Sequence, residues 1–140
     1  VEEDGMYAAL KAHDLSRVVV LVSKRGHFSL KKAGGVLGIG NRNVIAVDVD
    51  EKRTIDLGKL RALIRELKRD GRTGIAALVG IAGATETGTI DPLPELADIC
   101  ERENIHFHVD AAWGGQTLFS ERYRPRLAGI ERLSFCSRYA

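Results

Sequence analysis

Cysteine is scarce in this chain. Its 140 residues include two, Cys100 and Cys136, far apart and without a Cys-x-x-Cys pair or the Cys/His spacing of a zinc site. That excludes a disulfide-stapled scaffold and points to thiols in a reducing, cytoplasmic setting. Long apolar runs are lacking as well. The longest, Val18 to Val22 and Ile75 to Ile81, fall well short of the roughly 20 residues that span a bilayer, so no transmembrane helix is expected. The first residues, Val-Glu-Glu-Asp-Gly, are acidic where a secretion signal needs a basic start and an apolar run. A leading Met is also missing, so the chain is expected to be a slice of something longer. Neither sign of charge dominates: 21 Lys and Arg against 19 Asp and Glu leave a net charge of +2. The one local excess, five arginines against two glutamates over 121–140, is confined to a short end. It reads as a solvated segment and not as a nucleic-acid groove.

What remains is the composition of one ordinary globular domain, with 44% hydrophobic and 29% charged residues and no internal repeat. A chain of this size buries roughly 68–70% of the surface its unfolded form exposes. The hydrophobic pattern alternates between short β-branched runs and amphipathic stretches in the order α-β-α-β-α-β-α-β. Helices are expected over 2–12, from a Ser29 cap through Leu37, from Asp56 to a stop near Gly71, and after Asp91-Pro92. Strands are expected at Val18–Val22, Val44–Val47, Ile75–Ile81 and Ile105–Val109. This alternation predicts an α/β domain: a mostly parallel sheet with helices on both faces. Ligands of such sheets sit beyond the carboxyl ends of the strands, which singles out Ser23 to His27, Ala82 to Thr87 and Asp110 to Gly115.

Two nucleotide motifs fail. Gly35-Val-Leu-Gly38-Ile-Gly40 follows a helix where a dinucleotide fingerprint must follow a strand, and no Gly-Lys-Ser/Thr closes a phosphate loop. His106, His108 and Asp110 share one side of a strand, but mid-strand positions of a parallel sheet are expected to be covered, so buried, hydrogen-bonded histidines are expected and no metal site. Asp110 differs. A carboxylate at a strand exit, followed by Ala111-Ala112-Trp113-Gly114-Gly115, combines a costly charge with small residues that let a flat ligand approach. A protonated ring nitrogen on a bound cofactor would partner it, and capping of the next helix is the competing reading. Trp113 is expected to pack against the sheet.

The string His106-Phe-His-Val-Asp-Ala-Ala-Trp-Gly-Gly115 resembles the aspartate motif of the group II pyridoxal-phosphate-dependent amino-acid decarboxylases, which include glutamate, aspartate and aromatic amino-acid decarboxylases. Two further stretches carry the same resemblance. One is Ser23 to Gly40, a histidine before a helix ending in Leu-Gly-Ile-Gly; the other is Val79 to Pro92, a threonine loop leading into a helix. It extends in order and spacing to about Arg132. The resemblance implies the large domain of the fold type I, aspartate aminotransferase-like fold, with pyridoxal 5'-phosphate as cofactor. It further implies that Asp110 pairs with the pyridinium nitrogen and that His27 stacks on one ring face and helps orient the substrate. Ala112 would pack on the other face, and Thr85 would lie near the phenolic oxygen. The family has Gly-Thr-Thr where this chain has Gly83-Ala84-Thr85.

The family's cofactor-binding lysine lies roughly thirty residues past the aspartate, and no Lys follows Asp110 here. The expectation is therefore a partial cofactor-binding domain over 1–132 with a divergent or truncated tail at 133–140, inactive by itself. The parent is expected to be a homodimer acting on glutamate or aspartate, with an amino acid as partner and neither nucleic acid nor membrane. The alternatives are a non-enzymatic remnant without cofactor, or a lyase or aminotransferase of the same fold.

Overall fold

Alternation of β-branched runs with amphipathic stretches resolves, in a computed structural model that describes residues 3 and 5–133, into four parallel strands and four helices. They are α1 (Gly5–Ala12), β1 (Arg17–Ser23), α2 (Ser29–Val36), β2 (Val44–Val47), α3 (Leu57–Lys68), β3 (Thr73–Ile81), α4 (Leu93–Glu103) and β4 (His106–Asp110). Three short 3-10 turns follow, at Gly115–Phe119, Arg124–Leu127 and Ile130–Arg132. The strand order is β2-β1-β3-β4. The chain moves outward from β1 to β2, then returns to build β3 and β4 on the other flank. The point of reversal, between β1 and β3, is where a crevice opens at the carboxyl ends of a parallel sheet.

The two faces are covered unequally. On one, Leu21, Leu78, Phe107 and Val109 pack with Leu60, Ile64 and Leu67 of α3 and Leu93, Leu96 and Ile99 of α4, forming the main core. Each such fully buried side chain contributes about 1.5–3 kcal/mol. A bulge helps fill it: β1 pairs Val19 with Ile75 but Val20 with Ala77, so Ile75 and Leu78, three apart, both reach this face. On the other face a smaller cluster of Val22, Val44, Val79, Ile81 and Ala84 is joined by Val20 and by Leu30 of α2. Gly34 lets α2 come this close, since a Cβ there would stand 2.5 Å from a Val44 methyl.

Among the described residues no helix covers that second face over β4. His106, His108 and Asp110 align there with Ala77, Val79 and Ile81. This corrects the expectation of buried histidines: His106 is half-buried and His108 exposed, because β4 is an edge strand whose outer face lacks a helix. Among the described residues no group of three or more His, Cys, Asp or Glu could hold a metal. Among the described residues no helix is long and apolar enough to cross a membrane.

Local signals act as expected at α3, where Asp56 caps the helix by accepting from the Lys59 backbone N–H at 3.0 Å. The cap expectation at Ser29 fails, and the helix start marked by Asp91 holds without a cap. Ser29 is the first helical residue, because the backbone already turns helical at Phe28. Asp91 does not cap α4; its carboxylate turns inward instead. The arginine-rich segment is tied down through Arg132, whose guanidinium meets Asp98 at 2.7 Å and Glu101 at 2.9 Å on α4. Residues 134–140, which hold most of the expected divergent tail and Cys136, lie outside the described residues, as do Glu2 and Asp4 of the first expected helix.

Candidate active site

Three strand exits build the site. After β1 the chain turns sharply, with the Gly26 N–H donating to the Ser23 carbonyl at 2.7 Å and the Arg25 N–H to the Ser23 hydroxyl at 3.3 Å. Only glycine fits at 26, since a Cβ would lie 2.6 Å from a Val22 methyl. The turn delivers His27, whose Nδ1 lies 2.9 Å from the Ser29 hydroxyl and whose ring centroid is 4.1 Å from that of Phe28.

The exit of β3 is held by Asp91. Buried at 5% exposure, its two oxygens accept from the backbone N–H groups of Ile55 at 2.8 Å and Ile81 at 2.9 Å. Burial pushes this carboxyl above its ordinary value, against the opposing pull of those two amides. The following loop closes on itself, Ala84 N–H to the Thr89 carbonyl at 2.9 Å and Gly88 N–H to the Ala84 carbonyl at 2.7 Å. Ala84 is thereby buried in the smaller apolar cluster and Thr85 exposed.

The exit of β4 crosses that loop at backbone distance. Ala82 N–H donates to the Asp110 carbonyl at 2.9 Å, and Gly114 N–H returns to the Ala82 carbonyl at 3.0 Å. Gly83, at φ +96°, would place a Cβ 2.8 Å from the Gly114 nitrogen, and a Cβ on Gly114 would run into the Ala82 carbonyl. Gly114 thus serves a chain crossing and not the approach of a flat ligand. Ala112 is the small residue left facing the opening.

Between the exits lies a cleft of about 210 Å³, lined by Arg25, His27, Ser29, Ile81, Gly83, Ala84, Thr85, Asp110, Ala112 and Trp113. All four residues singled out from the sequence, His27, Thr85, Asp110 and Ala112, line it. The Asp110 carboxylate accepts from the Ala112 N–H at 3.2 Å, and among the described residues no side-chain cation pairs with it. The expectation for Trp113 is corrected: the indole is 60% exposed and lines the cleft.

Arg25 lies within the strand-exit window Ser23 to His27, but a lone arginine in a turn carries no signal of a role. Its Nη1 lies 3.0 Å from Glu86 Oε2, joining the turn after β1 to the loop after β3. A second groove of about 790 Å³ adjoins, shares Arg25, His27, Ala84 and Thr85, and is walled by Lys24, Asp48 and Lys59. There the hydrogen bonds from Lys59 and Lys24, each 3.1 Å long, hold the Asp48 carboxyl below its ordinary value.

Comparison with known proteins agrees with this geometry. The family model described as the pyridoxal-dependent decarboxylase conserved domain matches residues 3–137. The aspartate 1-decarboxylase of Aliivibrio fischeri is 49% identical over 131 residues, which are 94% of this chain and 24% of that protein. An acidic amino acid decarboxylase of Xenopus tropicalis is 42% identical over 117 residues, 83% of this chain and 22% of that protein. The crystal structure of mouse CSAD superimposes with a TM-score of 0.84 at 33% identity, covering 94% of this chain and 26% of that one. The chain therefore spans about a quarter of the length of the relatives it matches. With the family model matched over nearly the whole chain and a relative 49% identical to it, the chain belongs to the pyridoxal-dependent decarboxylase family.

Proposed function

We propose that this cleft receives pyridoxal 5'-phosphate and that the full-length protein removes the α-carboxylate of an acidic amino acid, aspartate or glutamate, leaving an amine and carbon dioxide. The observation that carries the reading is the convergence, in one cleft, of an Asp110 carboxylate without a cationic partner among the described residues, the His27 imidazole and the small Ala112. These residues suit a flat, protonated heteroaromatic ring. Asp110 supplies the anion that keeps a proton on its nitrogen. His27, oriented by Ser29, packs against one face and helps orient the substrate, Ala112 leaves space at the other, and the exposed Thr85 hydroxyl meets a ring oxygen. When bound, the cofactor supplies the sink for the electron pair left as carbon dioxide departs.

The acidic preference is supported by the aspartate and acidic amino acid decarboxylases among the relatives. The cleft falls below the roughly 300–1,000 Å³ of a complete small-molecule site, which suits a half-site completed by other parts of a homodimer. The same holds for the large apolar side chains left exposed, Trp113, Phe119 and Val36 among them. Cytoplasmic residence fits the scarcity of cysteine.

Trp113 is the chain's single tryptophan and lines the cleft, so its fluorescence reports occupancy. Saturable quenching by pyridoxal phosphate, lost in Asp110→Ala and His27→Ala, is the expected result. Absence of saturable quenching in the parent chain would leave a structural remnant without cofactor. With no lysine after Asp110, the 140-residue chain alone is expected to release no carbon dioxide from aspartate or glutamate.

A further inference from the structure

Arg25 is the charge in the cleft that has no role among those proposed above for the cofactor. The two cations of the turn after β1 point apart. Lys24 is drawn into the neighbouring groove, its Nζ 3.1 Å from Asp48. Arg25 stays, and among the described residues lining the cleft it is the only side chain with a permanent positive charge. Its contact with Glu86 runs through a single nitrogen, Nη1, at 3.0 Å. A guanidinium presents a planar fork that binds a carboxylate through two parallel bonds, so this contact uses half of its capacity.

The pair is also asymmetric in burial. The Glu86 side chain is 78% exposed and that of Arg25 32%. Water takes over the Glu86 carboxylate readily when the pair opens, and an exposed pair of this kind is weak. Arg25, more enclosed, keeps its need for an anion. The arginine also stands on a fixed base, because Gly26 and the bond from the Arg25 N–H to Ser23 define the turn that carries it. Glu86 therefore behaves as an exchangeable ligand on a positioned receptor.

We propose that Arg25 is a specificity-determining residue that receives the side-chain carboxylate of an acidic amino acid in this cleft, and that Glu86 holds its place until the substrate arrives. This rests on reading the cleft as the substrate and cofactor site of an amino-acid decarboxylase. Charge selects here by subtraction: an amino acid with an uncharged side chain has nothing to exchange for Glu86, so it must either leave the pair intact or break it without replacement.

The test is an NMR titration of the chain with L-aspartate and L-asparagine, following the Arg25 Nε–H resonance, with and without pyridoxal phosphate. Aspartate is expected to shift that resonance and to bind at least about tenfold more tightly than asparagine. Arg25→Gln should abolish the difference and Arg25→Lys restore part of it. Glu86→Gln, a change at an exposed side chain that leaves the fold alone, should tighten aspartate by about two- to fivefold as the internal competitor is removed. Equal affinity for the two amino acids, or no gain in Glu86→Gln, would overturn the proposal. So would competition by inorganic phosphate together with loss of pyridoxal phosphate quenching in Arg25→Gln, which would assign the arginine to the cofactor's phosphate. Failure of the cofactor reading shows differently, as missing Trp113 quenching while discrimination between aspartate and asparagine persists.

Discussion

The Nδ1 nitrogen of His27 lies 2.9 Å from the hydroxyl oxygen of Ser29, and the Ser29 backbone N–H is directed at the same nitrogen from 3.4 Å. A backbone N–H can only donate, so Nδ1 is the acceptor and the neutral ring carries its proton on Nε2. Ser29, expected to cap a helix, instead sets the tautomer and the tilt of the imidazole that faces the cleft.

Nitrogen-15 spectra of the chain should accordingly show neutral His27 as the Nε2–H tautomer. Ser29→Ala removes the hydroxyl and is expected to weaken pyridoxal phosphate binding by about 0.5–1.5 kcal/mol, the net worth of one hydrogen bond. Trp113 quenching checks the affinity, and an unchanged tautomer with unchanged affinity would contradict the role given to Ser29.

The crossing of the two loops makes Gly114 intolerant of any side chain. Gly114→Ala is expected to cost about 1–3 kcal/mol or more through overpacking against the Ala82 carbonyl. Gly115→Ala meets only the Ala111 methyl, at 3.4 Å, and should change stability by less than about 1 kcal/mol. Urea denaturation of the two variants side by side checks the contrast.

Asp91 ties the end of β3 to Ile55 with two backbone bonds. Asp91→Asn keeps one acceptor and turns an N–H₂ group toward the other donor, which is expected to cost about 1–3 kcal/mol. The pH dependence has a definite sign. Burial raises the folded-state value of this carboxyl above 3.8, so its favourable contribution is complete below that pH and is lost as pH rises through the raised value. The stability gap between wild type and Asp91→Asn should therefore be widest in acid and narrow toward neutrality. Denaturation curves collected across that range read it directly.

Cys100 is buried in α4, and burial, with a smaller contribution from Glu101, pushes its thiol up to about 12. The thiolate is the reactive form, so in a Cys136→Ser background the native chain should resist alkylation at neutral pH. Labelling should appear only when denaturant opens the core, at a rate that follows global unfolding.

Much of this architecture is legible in local pattern. The apolar spacing of Leu57, Leu60, Ile64 and Leu67 predicts α3, and Asp56 caps it as its chemistry requires. β2 runs over the residues Val44–Val47 that its β-branched run marks. The four motif residues, His27, Thr85, Asp110 and Ala112, stand at the end of a strand or within a few residues past it, which is why strand-exit reasoning reaches them. Arg25 and Trp113 fall inside those strand-exit windows, but what they do, like the role of Ser29, was not legible. Their roles depend on neighbours that no spacing brings together, such as Glu86 for Arg25 across 61 positions and the cleft wall of Gly83 and Ala84 for Trp113.

The sequence by itself determined the element order and the strand-exit positions of the candidate site, because periodicity and turn chemistry are local and act before any long-range contact forms. Tertiary structure alone decided which exits meet, through the order β2-β1-β3-β4 and the backbone crossing at Gly83 and Gly114. It likewise decided that His108 is exposed, that Asp91 braces two segments and that Arg25 rests against Glu86. Those outcomes depend on which surfaces are left for each side chain once the sheet is assembled, and burial is a property of the packed whole that no stretch of chain encodes alone.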